Sequence, residues 1–225
     1  MSEGKELIRL KIDSLSHGGR GVGRFKGITV FVPETAPLDE VEVSVVEEKK
    51  SYLVARLEKI LSPSPHRREP PCHYYPRCGG CSLMHIMYPS QVAFKEEIFK
   101  EAMKRIGGVE EACILPMIPS PLELGYRSRI RLIVKGGKVG YRAVASHEVV
   151  PIDACLLADE KINQRIPEID VGDAKEIEIR VLEGVEVIKN PKKVSLAFRQ
   201  VNPLQNKRLV DEVMALLDLK GGERI

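Results

Sequence analysis

The chain has 225 residues, of which 43% are hydrophobic and 30% charged, and its formal net charge is +3. These values fit a soluble globular protein of one large domain or two small ones; there is no apolar run long enough for a membrane span. No charged-then-apolar leader opens the chain, so a cytoplasmic protein is expected, and a charge of +3 says nothing of nucleic acid until its distribution is known.

The first stretch, to about Ser62, reads as strands. "ELIRLKID" alternates apolar and polar residues, "GITVFVP" is a short β-branched and aromatic run, and "DEVEVSVVEEKKSYLVARLEKIL" alternates over two strand lengths with a polar turn near Lys49–Lys50. Short strands separated by turn residues predict a small five-stranded, OB-like barrel. "SHGGRGVGRF" has neither phosphate-loop spacing nor a helix after it, so it predicts a tight barrel turn with Arg20 and Arg24 exposed and available to RNA. "SPSPHRREPP" then predicts a linker or pinned loop at a domain boundary.

A helix is expected over "PSQVAFKEEIFKEAMKRIGG". Ser90 can cap it, Gly107 or Gly108 can end it, and Val92, Ile98, Phe99, Ala102, Met103 and Ile106 form a core-facing stripe. "YRSRIRLIVKGGKVGYRAV" predicts a hairpin turning at Gly136–Gly137. An α+β region follows, from Pro151 to about Phe198. A last helix starts at Asn202–Pro203, with Leu209, Val210, Val213, Met214 and Leu217 as its buried stripe and Gly221 or Gly222 at its end.

Five cysteines, an odd number, in a chain expected in a reducing compartment argue for metal rather than disulfides. Cys72, Cys78 and Cys81 lie in the pattern C-x5-C-G-G-C, and Gly79 and Gly80 let backbone N–H groups approach sulfur. A fourth thiolate is available at Cys155, in "VVPIDACLL", whereas Cys113 in "ACILPMI" reads as core. Soft thiolates suit an iron–sulfur cluster, or zinc with His85 or Cys155 as the fourth ligand; spacing alone leaves both open.

From Leu124 to His147 there is no acidic residue, yet the stretch carries Arg127, Arg129, Arg131, Lys135, Lys138 and Arg142. The three arginines are two apart, so a strand puts them on one face. A two-residue turn opposes Lys135 to Lys138 and Arg131 to Arg142. Like pairs of this kind destabilise a sheet by about 0.2–1 kcal/mol, which a bound polyanion relieves. These six residues are the predicted RNA contacts.

Taken together, these segments resemble the RNA uracil-C5 methyltransferases that use S-adenosylmethionine. "IDSLSHGGRGVGRFKGITVFVPETAPLDEVEV" is similar to their N-terminal TRAM barrel. "CHYYPRCGGCSLMHI" is similar to their cluster loop, "VVPIDACLL" to the site of the fourth ligand, and "FRQVNPLQNKRLV" to the start of their methyltransferase domain. The resemblance implies a 4Fe–4S cluster on Cys72, Cys78, Cys81 and Cys155, and a contact from Gln200 to S-adenosylmethionine. It also implies a chemistry in which a cysteine adds to a flipped-out uracil before methyl transfer. It places that cysteine, the general base and the Rossmann-like donor domain beyond Ile225, so no catalytic residue is assigned and the 225-residue chain alone is expected to be inactive.

The expected organisation is an all-β TRAM barrel over 1–62, an α+β central domain with the iron–sulfur loop over 63–200, and the start of a methyltransferase domain over 201–225. The expected partner is RNA, 23S rRNA ahead of tRNA, and a monomer is expected. A stand-alone RNA-binding iron–sulfur module without catalysis is the alternative.

Overall fold

The computed structural model describes residues 7–109, 114–191 and 199–217. They fall into two compact units, Met1–Ile118 and Pro119–Ile225.

The first unit is built on a closed barrel of β1 (Leu7–Leu15), β2 (Gly21–Phe25), β3 (Ile28–Val32), β4 (Glu40–Glu48) and β5 (Tyr52–Ser62), in the order β1-β2-β3-β5-β4. β1 closes on β4, and β3 and β5 run parallel. Strand alternation sends Ile8, Leu10, Ile12, Val30, Val32, Val41, Val43 and Leu53 inward to one core. The predicted barrel is thus present. Part of the glycine run, however, is itself a strand: β2 occupies "GVGRF". At Gly23 a Cβ would lie 2.3 Å from a Leu10 methyl and 2.5 Å from the Lys11 carbonyl oxygen, so only glycine lets β2 approach β1 there.

The proline-rich segment is not where the units divide. Asp39, shut off from solvent, accepts hydrogen bonds from the backbone N–H of Ala36 (2.6 Å) and Ser64 (2.8 Å) and from Arg67 Nε (2.8 and 3.0 Å). Arg67 also donates to the Glu34 carbonyl (2.7 Å). These contacts fasten the segment to the barrel, and the cysteine loop and α1 (Tyr88–Gly107) go with it. A second small core joins Leu15 and Ala36 of the barrel side to Ile86 and Phe94.

Helix α1 follows its predicted span but not its predicted details. Its N-cap is Met87, with Pro89 in the first turn, because the Ser90 hydroxyl is engaged with His66 Nδ1 (2.9 Å). Gly108 ends it in the left-handed conformation. The expected core stripe is not buried. Phe94 is the one buried side chain; Phe99 is 48% and Ile106 86% exposed, since the N-terminal half alone rests on the unit.

The second unit is a five-stranded sheet in the order β10-β9-β6-β7-β8. Its strands are β6 (Arg129–Lys135), β7 (Lys138–Arg142), β8 (Val149–Pro151), β9 (Glu176–Val181) and β10 (Val185–Lys189). Gly136 and Gly137 both take positive φ in the β6–β7 turn, as predicted. Helix α2 (Glu160–Arg165) packs against β9 and buries Ile162. Helix α3 (Pro203–Leu217) is capped by Asn202, whose Oδ1 accepts from Gln205 N–H (3.0 Å). Its predicted stripe is wholly exposed instead of buried, because no described element packs over Leu209, Val210, Val213, Met214 or Leu217. Cys113, Phe198 and Gly221–Gly222 lie outside the described residues.

Candidate RNA-recognition surface and cysteine loop

The loop carrying Cys72, Cys78 and Cys81 has no regular secondary structure, but its base is closed. Arg67 and Ile86 form an antiparallel bridge, Arg68 N–H donates to the His85 carbonyl (2.9 Å), and Met87 N–H to that of His66 (2.9 Å). Gln91 of α1 donates its side-chain amide to the carbonyls of Leu83 and Ile86. Inside the loop, Tyr75 N–H donates to Cys72 O, Cys78 N–H to Tyr74 O, and Gly80 N–H to Cys78 Sγ (3.4 Å). Cys78 is buried; Cys72 and Cys81 are half-buried.

Beneath the loop lies His85, only 2% exposed, with its Nδ1 2.5 Å from the Tyr75 hydroxyl. Burial depresses the imidazole to about 4. The Thr35 backbone and Asp39 act upward and Arg67 further downward. Burial likewise pushes the Tyr75 phenol well above its ordinary range, with Glu34 and Cys81 adding to the effect. Two neutral groups therefore share this hydrogen bond, and the ring serves as a strut between barrel and loop.

The β1–β2 turn also meets the loop. At Gly19, where φ is +82°, a Cβ would stand 2.8 Å from Leu83 Cδ2 and 2.9 Å from Ser82 Oγ, just past Cys81. Arg20 and Arg24, which follow Gly19, are exposed, as predicted.

Cys155 belongs to the second unit, where Asn163 clamps it. Its N–H donates to Asn163 Oδ1 (2.8 Å), and Asn163 Nδ2 donates to its carbonyl (3.2 Å). Arg127 is beside it. Burial pulls the guanidinium pKa down, but Tyr126, Tyr141 and Cys155 outweigh this and hold it above its ordinary value. The Tyr141 phenol is raised by burial first and by Cys155 second. None of the four cysteines is in a disulfide, and the Gly80 N–H aimed at sulfur suits a bound thiolate cluster. Among the described residues no three His, Cys, Asp or Glu side chains are already gathered as the ligands of a single ion.

The basic hairpin differs from the sequence expectation in three ways. Arg127 precedes the strand, bridging Ala158 in parallel. Arg131 is not opposed to Arg142, because the β6–β7 ladder runs from Lys135↔Lys138 only to Ile133↔Gly140. Instead Arg131 pairs with Glu176 (3.0 Å) and donates to Pro191 O (2.7 Å). Acids from β9 thus answer a stretch that has none of its own. Arg129 is half-buried opposite Arg180, and Arg142 faces His147 (3.1 Å). Lys135 and Lys138 are opposed and exposed at the tip, as predicted.

Gln200 is exposed and lines a recess of about 450 Å³ with Ser128, Val181, Arg199, Pro203 and Asn206. Ser128 N–H and hydroxyl both donate to Val201 O, which ties the segment before α3 to the start of β6.

With this geometry in view, the comparisons place the chain among RNA-modifying proteins. Residues 8–66 match the TRAM domain family of tRNA (uracil(54)-C(5))-methyltransferase. An uncharacterized RNA methyltransferase of Aquifex aeolicus is 41% identical over 162 residues, 72% of this chain and 38% of that protein. One from Bdellovibrio bacteriovorus is 35% identical over 90% of this chain and 54% of its own length. The 23S rRNA (uracil(1939)-C(5))-methyltransferase RlmD of Pseudomonas putida is 40% identical over 66% of this chain and 34% of its own. The crystal structure of Pyrococcus abyssi tRNA (uracil-54, C5)-methyltransferase in complex with S-adenosyl-L-homocysteine superposes with a TM-score of 0.69. That protein is 25% identical, and the match covers 95% of this chain and 66% of that one.

The chain is similar to RNA methyltransferases, two of them uracil-C5 enzymes, over the part of their length that it covers. It spans roughly a third to a half of the length of the curated relatives it matches. Among the described residues no helix is long and apolar enough to cross a membrane.

Proposed function

We propose that the chain is the RNA-recognition part of an S-adenosylmethionine-dependent RNA (uracil-C5)-methyltransferase acting on 23S rRNA. The observation that carries this reading is the 40% identity to the 23S rRNA enzyme over 66% of this chain. The barrel and the β6–β7 tip supply cations for phosphate, which position RNA rather than read its sequence. The second reading is a tRNA enzyme, favoured by the TRAM match and by the structural neighbour, both of which are named for tRNA.

In this reading Cys72, Cys78, Cys81 and Cys155 hold a 4Fe–4S cluster. When bound, such a cluster joins distant segments of chain through iron–thiolate bonds. The chain's own residues suit it: Gly80 N–H faces one sulfur, and Asn163 orients Cys155. Four thiolates suit iron–sulfur or zinc alike; the likeness of the Cys72–Cys81 loop and the Cys155 segment to the cluster-bearing segments of the uracil-C5 methyltransferases supports iron. Gln200 and the recess beside it are the proposed contact for the methyl donor in the longer protein.

The test is crosslinking of the purified chain to total cellular RNA, followed by sequencing of the bound fragments. Enrichment of 23S rRNA is expected. Enrichment of tRNA over rRNA moves the assignment to the second reading, and retention of neither overturns both. The chain alone is expected to transfer no methyl group.

A further inference from the structure

The outer face of the barrel is not uniform. On the β1–β4 side, acids and bases neutralise one another: Arg9 pairs with Glu42 (3.2 Å), and Lys11 stands opposite Glu40. The β2–β3 hairpin is different. From Ser14 to Pro33 there is no Asp or Glu, while Arg20, Arg24 and Lys26 are all present and exposed.

The same side carries aromatic rings. Val30 and Val32 point into the core, so Phe31 between them points out. It meets Tyr52 of β5 edge to face, with centroids 5.4 Å apart and planes at 82°, and both rings are partly exposed. The register sets Arg24, Thr29 and Tyr52 in one row across three strands, with Val22, Phe31 and Val54 in the next. Lys50 follows from the β4–β5 turn, where Lys49 N–H donates to the Tyr52 carbonyl and the Lys49 ammonium pairs with Glu47.

We infer that this face is a stacking platform for single-stranded RNA. A base lies on the Phe31–Tyr52 pair, and Arg24 and the lysines beside it hold the flanking phosphates. The inference rests on the RNA-binding reading above and adds to it the strandedness of the RNA and the place it touches. Rings edge to face leave a π-surface uncovered for a base. Paired bases in a duplex would expose no π-face to it, so the platform selects unpaired nucleotides and tolerates any sequence. Arg20, Arg24 and Lys26 on a stretch without acids, with neutralised charge on the β1–β4 side, fit a polyanion rather than a protein surface.

The chain contains no tryptophan, which makes the test direct. Tyr52→Trp places a single indole in the platform, and Ile106→Trp places one on the exposed face of α1 as the control. Titration with single-stranded oligouridine should quench the first and leave the second unchanged. Phe31→Leu and Arg24→Ser, each shown folded by an unaltered circular dichroism spectrum, should weaken oligouridine binding, the first by roughly 5- to 150-fold. If oligouridine binds while Tyr52→Trp stays unquenched and Phe31→Leu binds normally, the platform is refuted and the RNA-binding reading survives. Equal quenching by a blunt duplex refutes the single-strand assignment. Binding of neither RNA refutes the underlying reading as well.

Discussion

Arg67 and Asp39 meet at 2.8 and 3.0 Å around a carboxylate closed to solvent, and this pair fastens the approach to the cysteine loop onto the barrel. Removing one partner leaves a charge or an array of N–H donors with nothing to answer it. Asp39→Ala should therefore cost about 3–5 kcal/mol. Asp39→Ala combined with Arg67→Met should recover part of that loss. A urea midpoint lowered at constant slope would show it; a change under 1 kcal/mol, on the same scale, would contradict the shielded pairing.

His85 gives the fold an acid-side dependence. Its pKa is about 4 in the folded chain against 6.5 for the ordinary imidazole. The unfolded chain thus binds the extra proton first. The contribution is fully present above the unfolded value, falls as pH drops through this window, and is lost once the folded value is passed. The total is on the order of 3 kcal/mol. Glu34 acts in the opposite sense, since burial raises its carboxyl pKa despite Arg67. Denaturant titrations across this range should show the fall, and His85→Gln should flatten it. An unchanged slope in that variant would rule the imidazole out as the source.

The close approach at Gly23 predicts a cost for the smallest possible insertion. Gly23→Ala drives a methyl toward the Lys11 carbonyl, which is backbone and cannot rotate aside. A loss of about 1–3 kcal/mol is expected. Gly27→Ala, where no heavy atom lies within 4 Å, provides the comparison, since it pays only for its positive φ. Equal melting points for the Gly23→Ala variant and the parent chain would mean that β1 and β2 are not packed this closely.

Asn163 is predicted to matter through Cys155. Asn163→Ala removes both hydrogen bonds that hold the Cys155 backbone. In chain reconstituted anaerobically with iron and sulfide, cluster loss to a chelator should quicken about 10- to 100-fold, the usual scale for residues that orient ligands. About four irons per chain should be present at the start. Identical chelation kinetics would remove Asn163 from the account, and stoichiometric zinc in place of iron would remove the cluster.

Much of the barrel is legible in the alternation of its strands, and the β6–β7 turn in its two glycines. β2 is not, because Gly21 and Gly23 lower strand propensity while serving a contact with β1 that only the folded barrel reveals. The stripes on α1 and α3 have helical periodicity, but periodicity gives a face and not what covers it. The proline-rich segment reads as a linker because its anchor, Asp39, is remote in sequence. Arg131 appears uncompensated for the same reason: Glu176 reaches it from β9. The clustered cysteines stand out by spacing, whereas Tyr75–His85 and the Asn163 clamp are ordinary residues until the fold brings them into place.

The closed order of the barrel strands has a consequence for how the unit can meet other molecules. Every strand has a neighbour on both sides along part of its length, though the β3–β5 ladder is short, running from Thr29↔Tyr52 to Phe31↔Val54. Closure thus removes much of the rim of unpaired backbone on which an incoming strand could extend the sheet. What docks on the closed part of the barrel is held by side chains, and can therefore be retuned one residue at a time without reopening the fold.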